Sequence, residues 1–171
     1  AHCLYQQGQQ IGLATNGRDA ADRVRTEGYA HDWRTRDGAR HAAAMEAQSE
    51  RLRPVVVPTR VGVDQFRQIL ESLARLELTD GLSFAQLVSE VDDRLPRDAT
   101  VIAILPRVTE ETAIALSNLR RRGLAVVAVI NLFDSYEYAQ AAGPLVAAGI
   151  EVRHLVDRDS IRTICRRYVV G

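Results

Sequence analysis

Lysine is absent from this chain: all 22 of its Lys+Arg residues are arginine, which reads as the mark of a GC-rich genome rather than of a function. Cysteine is scarce. Cys3 and Cys165 stand far apart and in no metal or redox spacing, so a reducing compartment is the default. Net charge is lacking too, with 22 basic and 22 acidic residues, and nothing electrostatic favours nucleic acid or an anionic membrane. No apolar run approaches the roughly 20 residues of a membrane span, and no signal peptide is visible. Catalytic signatures are missing as well. There is no G-x-S-x-G elbow, and Gly12-Leu-Ala-Thr-Asn-Gly17 is neither a dinucleotide fingerprint nor a phosphate loop. The histidines His2, His31, His41 and His154 share no ligand spacing, so neither a metal nor a cofactor is expected.

What is present is an α/β alternation. Thr100 to Leu105 and Ala125 to Ile130 are short, continuously apolar, β-branched runs flanking a helical span from Glu110 to Arg122. That is how a parallel βαβ unit with buried strands reads. Gly123 stops the helix, and Thr109 caps it with Glu110 and Glu111 near its positive end. Asn131 to Ser135 forms the next loop. A helix through Tyr138, Ala141, Ala142, Leu145 and Val146 ends at Gly149, and a strand follows at Glu151 to Leu155. A last helix, capped by Asp159 or Ser160, turns Ile161, Ile164, Cys165 and Tyr168 inward. The pattern predicts a three-layer, Rossmann-like fold: a mostly parallel sheet flanked by helices. At 171 residues a single domain is the natural expectation.

The first half is less regular. Ala1 to Gln7 reads as the end of a helix closed by Gly8, and Gln10 to Thr15 as a strand before an Asn16-Gly17 turn. From Arg18 to Arg53 the pattern is lost in a segment dense in Arg, Asp and Glu. Within it His41 to Leu52 has good helix propensity but a thin apolar face. Pro54-Val-Val-Val-Pro58 is a strand suited to a sheet edge, since proline cannot donate to a ladder. Val63, Phe66, Ile69, Leu70, Leu73 and Leu76 form one apolar helical stripe, broken at Thr79-Asp-Gly81. Ser83 and Gln86 form a capping box for a helix through Phe84, Leu87, Val88, Val91 and Leu95.

Ligands of parallel sheets sit at the carboxyl ends of the strands, so candidate binding residues are sought there. Asp80 and Ser83 are candidates, although a turn aspartate and a capping serine explain both. Asn131 and Asp134 lie on the next strand-end loop, where Asx residues also serve the turn itself. Arg120-Arg-Arg122 looks like an anion patch, and its place in the last turn of a helix accounts for it equally. Trp33, the only tryptophan, either staples the irregular segment to the body or anchors a partner. Cys165 on an apolar helical face reads as an inert buried thiol rather than a nucleophile.

Several stretches together carry a family resemblance: Gln10-Ile-Gly-Leu-Ala-Thr-Asn-Gly17, Gln68 to Leu76, Leu95 to Ile104, Leu119 to Val127, and Ala147-Ala-Gly-Ile-Glu-Val152. In order and spacing they resemble the C-terminal half of a bacterial family of unknown function. That family carries a von Willebrand factor A-like domain and is associated with MoxR-type AAA+ ATPases. The resemblance spans the chain apart from an irregular insertion over Arg18 to Arg60. It implies a sheet of order 3-2-1-4-5-6, with the Gln10 strand second and the Val55 strand an antiparallel third. Thr100, Ala125 and Glu151 would open strands four to six. Metal-binding A domains carry an Asp-x-Ser-x-Ser motif after strand one, a Thr from a later loop and an Asp after strand four. Here the first strand is absent, Ser83 stands near the Thr position, and Pro106 or Arg107 replaces the Asp. No divalent-metal site is therefore expected.

The resulting expectation is a non-catalytic protein-interaction module, truncated at its N-terminus, acting with a MoxR-type ATPase through residues such as Trp33, Asp80, Ser83, Arg107, Asn131 and Asp134. A homodimer that adds or exchanges strands would satisfy the edges left by the absent strand. The expected location is cytoplasmic, with any membrane anchor upstream. A small Rossmann-like enzyme and a structural fragment of a membrane-associated protein are the alternatives.

Overall fold

The computed structural model describes residues 1–27, 36, 40, 52–79 and 81–167. Its elements run α1 (His2–Gln6), β1 (Ile11–Thr15), β2 (Arg18–Asp19), α2 (Ala20–Glu27), β3 (Val55–Arg60), α3 (Val63–Arg75), β4 (Leu76–Glu77) and α4 (Phe84–Val91). A 3₁₀ turn at Asp92–Arg94 leads to β5 (Thr100–Leu105), α5 (Glu110–Arg121), β6 (Ala125–Ile130), α6 (Ser135–Ala147), β7 (Glu151–His154) and α7 (Arg158–Arg167). The chain divides into two compact units, Ala1–Ser83 and Phe84–Gly171.

In the first unit β1 pairs antiparallel with β3, and the register slips between Ile11 and Leu13. Pro58 lies within β3 and has no N–H for the ladder, so a bulge there is physically expected. Gly12 faces the bulge. A Cβ on it would stand 2.8 Å from Thr59 Oγ1 and 3.0 Å from the Val57 carbonyl oxygen, which leaves no room for a side chain. The Gln65 side chain reaches in from α3, and its Nε2 donates to the carbonyls of Ile11 at 2.8 Å and Pro58 at 2.6 Å. Beneath the strands, Ile11, Val57 and Ile69 form a small core, with Leu4, Tyr5, Leu13 and Phe66 packed against it. The Tyr5 ring stacks on Phe66 at a centroid distance of 4.9 Å.

The sequence reading of α3 is corrected in part. The helix exists and ends at Arg75, but it buries Gln65, Ile69 and Ser72. Val63, Leu70 and Leu73 stay about half exposed, and Leu76 belongs to β4. Order also extends into the segment read as patternless. Arg18 and Asp19 pair with Glu77 and Leu76, and α2 follows directly. Two ion pairs hold this corner, Arg23 bidentate to Glu77 at 2.6 and 3.0 Å, and Arg75 to Asp19 at 3.1 Å. The helix expected at His41 to Leu52 lies almost wholly outside the described residues.

The second unit is a mixed α/β body around a three-stranded parallel sheet of order β5-β6-β7, flanked by helices. Six consecutive pairs, Thr100↔Ala125 to Leu105↔Ile130, join β5 to β6 without a slip. Ala103 and Leu105, with Val126, Ala128 and Ile130, point to one face and pack on Leu116 and Leu119 of α5 and Leu145 of α6. Phe84 and Val88 bring α4 to the same cluster. Leu116, Ile130 and Leu145 are completely buried, each worth about 1.5–3 kcal/mol of transfer free energy. On the opposite face Val127 and Val129 are buried, while Ile104 is 67% exposed.

The caps explain where these helices begin and end. Thr109 Oγ1 accepts from the Thr112 amide, as the sequence predicts. Gly123 and Gly149 take positive φ after α5 and α6. The last helix differs from expectation: its cap is Asp157, which accepts the Ser160 amide at 2.8 Å and its hydroxyl at 2.7 Å. Ile161 is 49% exposed and Cys165 only half-buried, so the inward face read for this helix is weaker than its spacing suggests. Position 168 lies outside the described residues.

Candidate functional site

Because β5, β6 and β7 are parallel and in register, their carboxyl ends emerge together. The loops after Leu105, Ile130 and His154 therefore share one end of the second unit. Two backbone bonds extend the ladder past the strands. The Asn131 amide donates to Leu105 at 2.8 Å, and the Leu155 amide donates to Ile130 at 2.9 Å.

Of the sequence-predicted residues, Arg107, Asn131 and Asp134 fall on these loops. Arg107 and Asn131 are exposed. Asp134 is occupied by the fold: its Oδ1 accepts the amides of Tyr136 at 2.8 Å and Glu137 at 2.9 Å, capping α6. Ser83 is exposed and closes the first unit, ahead of α4. Trp33 and Asp80 lie outside the described residues. The structure thus gathers three of the six at one place.

The polar groups around them serve local structure. His154 Nε2 lies 2.8 Å from the Leu132 carbonyl and must carry the proton of that bond, since a carbonyl only accepts. Its ring stacks on Tyr138 at 3.8 Å, so His154 pins the β6–α6 loop to the end of β7. Asp157, on the third loop, is held below its ordinary pKa by the hydroxyl and amide of Ser160. The arginine run is likewise divided among structural tasks. Arg120 donates to the Ala148 carbonyl at 2.9 Å, and Arg122 pairs with Asp92. Among the described residues no group of three or more His, Cys, Asp or Glu could hold a metal ion.

Sequence reasoning passed over the most conspicuous side chains at this end. Phe133 is 87% exposed and Tyr136 is 72% exposed, three residues apart across the start of α6. The signal was available: aromatics make up only 5% of the chain, and two of them fall in one short strand-end segment. A phenylalanine left in water forgoes burial, and aromatic side chains are the anchors of protein interfaces. Chemically, this end offers apolar contact, an exposed guanidinium and an exposed amide.

Comparison with protein-family models, with characterised proteins and with solved structures yields no match for this chain.

Proposed function

We propose that the chain is a non-catalytic protein-interaction module of von Willebrand factor A type, and that its contact face is the strand-end surface of the second unit. Exposure of Phe133 on the loop after β6 and of Tyr136 in the first turn of α6 is the observation that carries the reading. Arg107 and Asn131, exposed on the same loops, supply the polar rim such a contact needs. The family part of the proposal draws support from strand pairing. The antiparallel β1–β3 pair and the parallel order β5-β6-β7 are the pairings that strands 2-3 and 4-5-6 of that fold require. A MoxR-type AAA+ ATPase is the partner the resemblance suggests.

The test is direct binding between the purified chain and a MoxR-type ATPase encoded in the same genome. The paired variant Phe133→Ala/Tyr136→Ala should weaken binding by more than about tenfold, the scale of removing hot-spot aromatics. Both residues are exposed, so the variant should keep the wild-type melting temperature. Wild-type affinity in the folded variant would remove this face from the proposal, and no binding by the wild-type chain would remove the ATPase.

A further inference from the structure

A second surface of the same unit is built differently from the strand ends. An open groove of about 430 Å³ runs between α5 and α6. Its lining includes the small side chains Ala113, Ser117 and Ala141, together with the exposed Pro144. Small residues let another backbone approach closely. Pro144 has no N–H to give to the turn before it, so the helical bond to the Gln140 carbonyl is missing. Ile114 stands at the rim, 54% exposed.

The charges along the rim follow an order. Glu110, Ile114, Asn118 and Arg121 are all exposed and all border the groove, stepping along one stripe of α5 from acid to base. Glu110 and Arg121 lie at opposite ends of the helix, about 16 Å apart at 1.5 Å per residue. A stripe with acid at one end and base at the other is complementary to itself when turned through a half-rotation. Two such helices laid antiparallel bring Glu110 of each against Arg121 of the other. Ile114 then meets the small Ser117 side chain near the axis. The opposed helix dipoles add to the attraction.

We infer that the groove between α5 and α6 is occupied by a second copy of this chain, in a two-fold symmetric dimer with the α5 helices antiparallel. The interface is isologous: the same patch serves both protomers, and each ion pair occurs twice. It uses a different surface from the strand-end face and does not depend on the function proposed for that face.

A charge-swap series measured by sedimentation equilibrium decides the matter. The wild-type chain should dimerise. Arg121→Glu places like charges together at both ends and should raise the dissociation constant by about tenfold or more, as should Glu110→Arg. The double variant Glu110→Arg/Arg121→Glu restores opposite charges and should dimerise nearly as well as the wild type. A mixture of the two single variants should form heterodimers about as readily as the double variant self-associates, because both ends of the mixed pair bring opposite charges together. A wild-type chain that stays monomeric overturns the inference. So does a dimer that none of the variants weakens, which would place the interface elsewhere, or a double variant no better than its parents.

Discussion

The parallel sheet of the second unit and the antiparallel β1–β3 pair of the first solve the same problem by opposite means. The parallel sheet runs in continuous register and is covered by aliphatic packing, with its main cluster on one face. The antiparallel pair of the first unit is interrupted by a proline, slips by one residue, and depends on a glutamine to satisfy two carbonyls. In one case the backbone satisfies itself and packing supplies the stability. In the other a buried polar side chain completes what the backbone cannot.

That contrast can be tested at both sites. The largest effect is expected where packing dominates. Leu116→Ala removes a side chain with no exposed surface and should cost about 2–5 kcal/mol in chemical denaturation, through lost transfer energy and the cavity left behind. A cost below about 1 kcal/mol would mean that the helices collapse onto the sheet and that packing there is looser than its burial implies.

A smaller and chemically different loss is expected at the bulge. Gln65→Leu keeps much of the volume but withdraws the donor from Ile11 and Pro58, and should cost about 1–3 kcal/mol. Gln65→Met, equally unable to donate, should cost about as much, whereas Leu116→Met should be mild at under about 1.5 kcal/mol. If Gln65→Met proves neutral, the carbonyls find other partners and the contrast between the sheets weakens.

The smallest effect depends on pH and belongs to the first unit. Glu77 is held below its ordinary pKa by hydrogen bonding from Arg23. Burial works to raise Asp19, but the Ala21 amide and Arg75 outweigh it, and its pKa also falls. In both cases the unfolded chain binds protons more readily than the folded one. The stabilisation is therefore present above the ordinary carboxylate range and lost as pH falls through the lower folded values. A melting-temperature profile should decline on the acid side, and Glu77→Gln should flatten that decline slightly. An unchanged acid limb in Glu77→Gln would show the Arg23 pair to be energetically idle, as many exposed pairs are.

The same contrast explains what could be read from the sequence. Thr100 to Ile130 was legible because continuous β-branched runs, a capping threonine and a stopping glycine all point to one structure. The bulge was not, since nothing local marks Gln65 as a residue to be buried. The apolar spacing of α3 favoured turning Val63, Leu70 and Leu73 inward, yet the helix presents Gln65, Ile69 and Ser72. Two carbonyls without a donor cost more than the partial exposure of two leucines, which still keep about half their surface covered. The candidate site was legible only as a location. The strand-end rule led to Arg107, Asn131 and Asp134, but attention to polar chemistry missed Phe133 and Tyr136. Asp134, a candidate binding residue that could equally serve the turn, is a helix cap. Trp33 and Asp80 stay outside the described residues.

The arginine that closes α6 has a further consequence, one of epistasis. Gly8, Gly62 and Gly123 are held by backbone angle alone, with open space where a side chain would go. Gly149 is held twice: its φ is +71°, and a Cβ would stand 2.6 Å from the Arg120 guanidinium that donates to Ala148. Asparagine, which tolerates that φ, could replace a glycine held by angle alone at modest cost. At position 149 it first requires the guanidinium to leave. The guanidinium is the far end of a flexible side chain and can swing aside, so substitution there also gives up the bond to Ala148, and its effect differs according to whether position 120 is arginine.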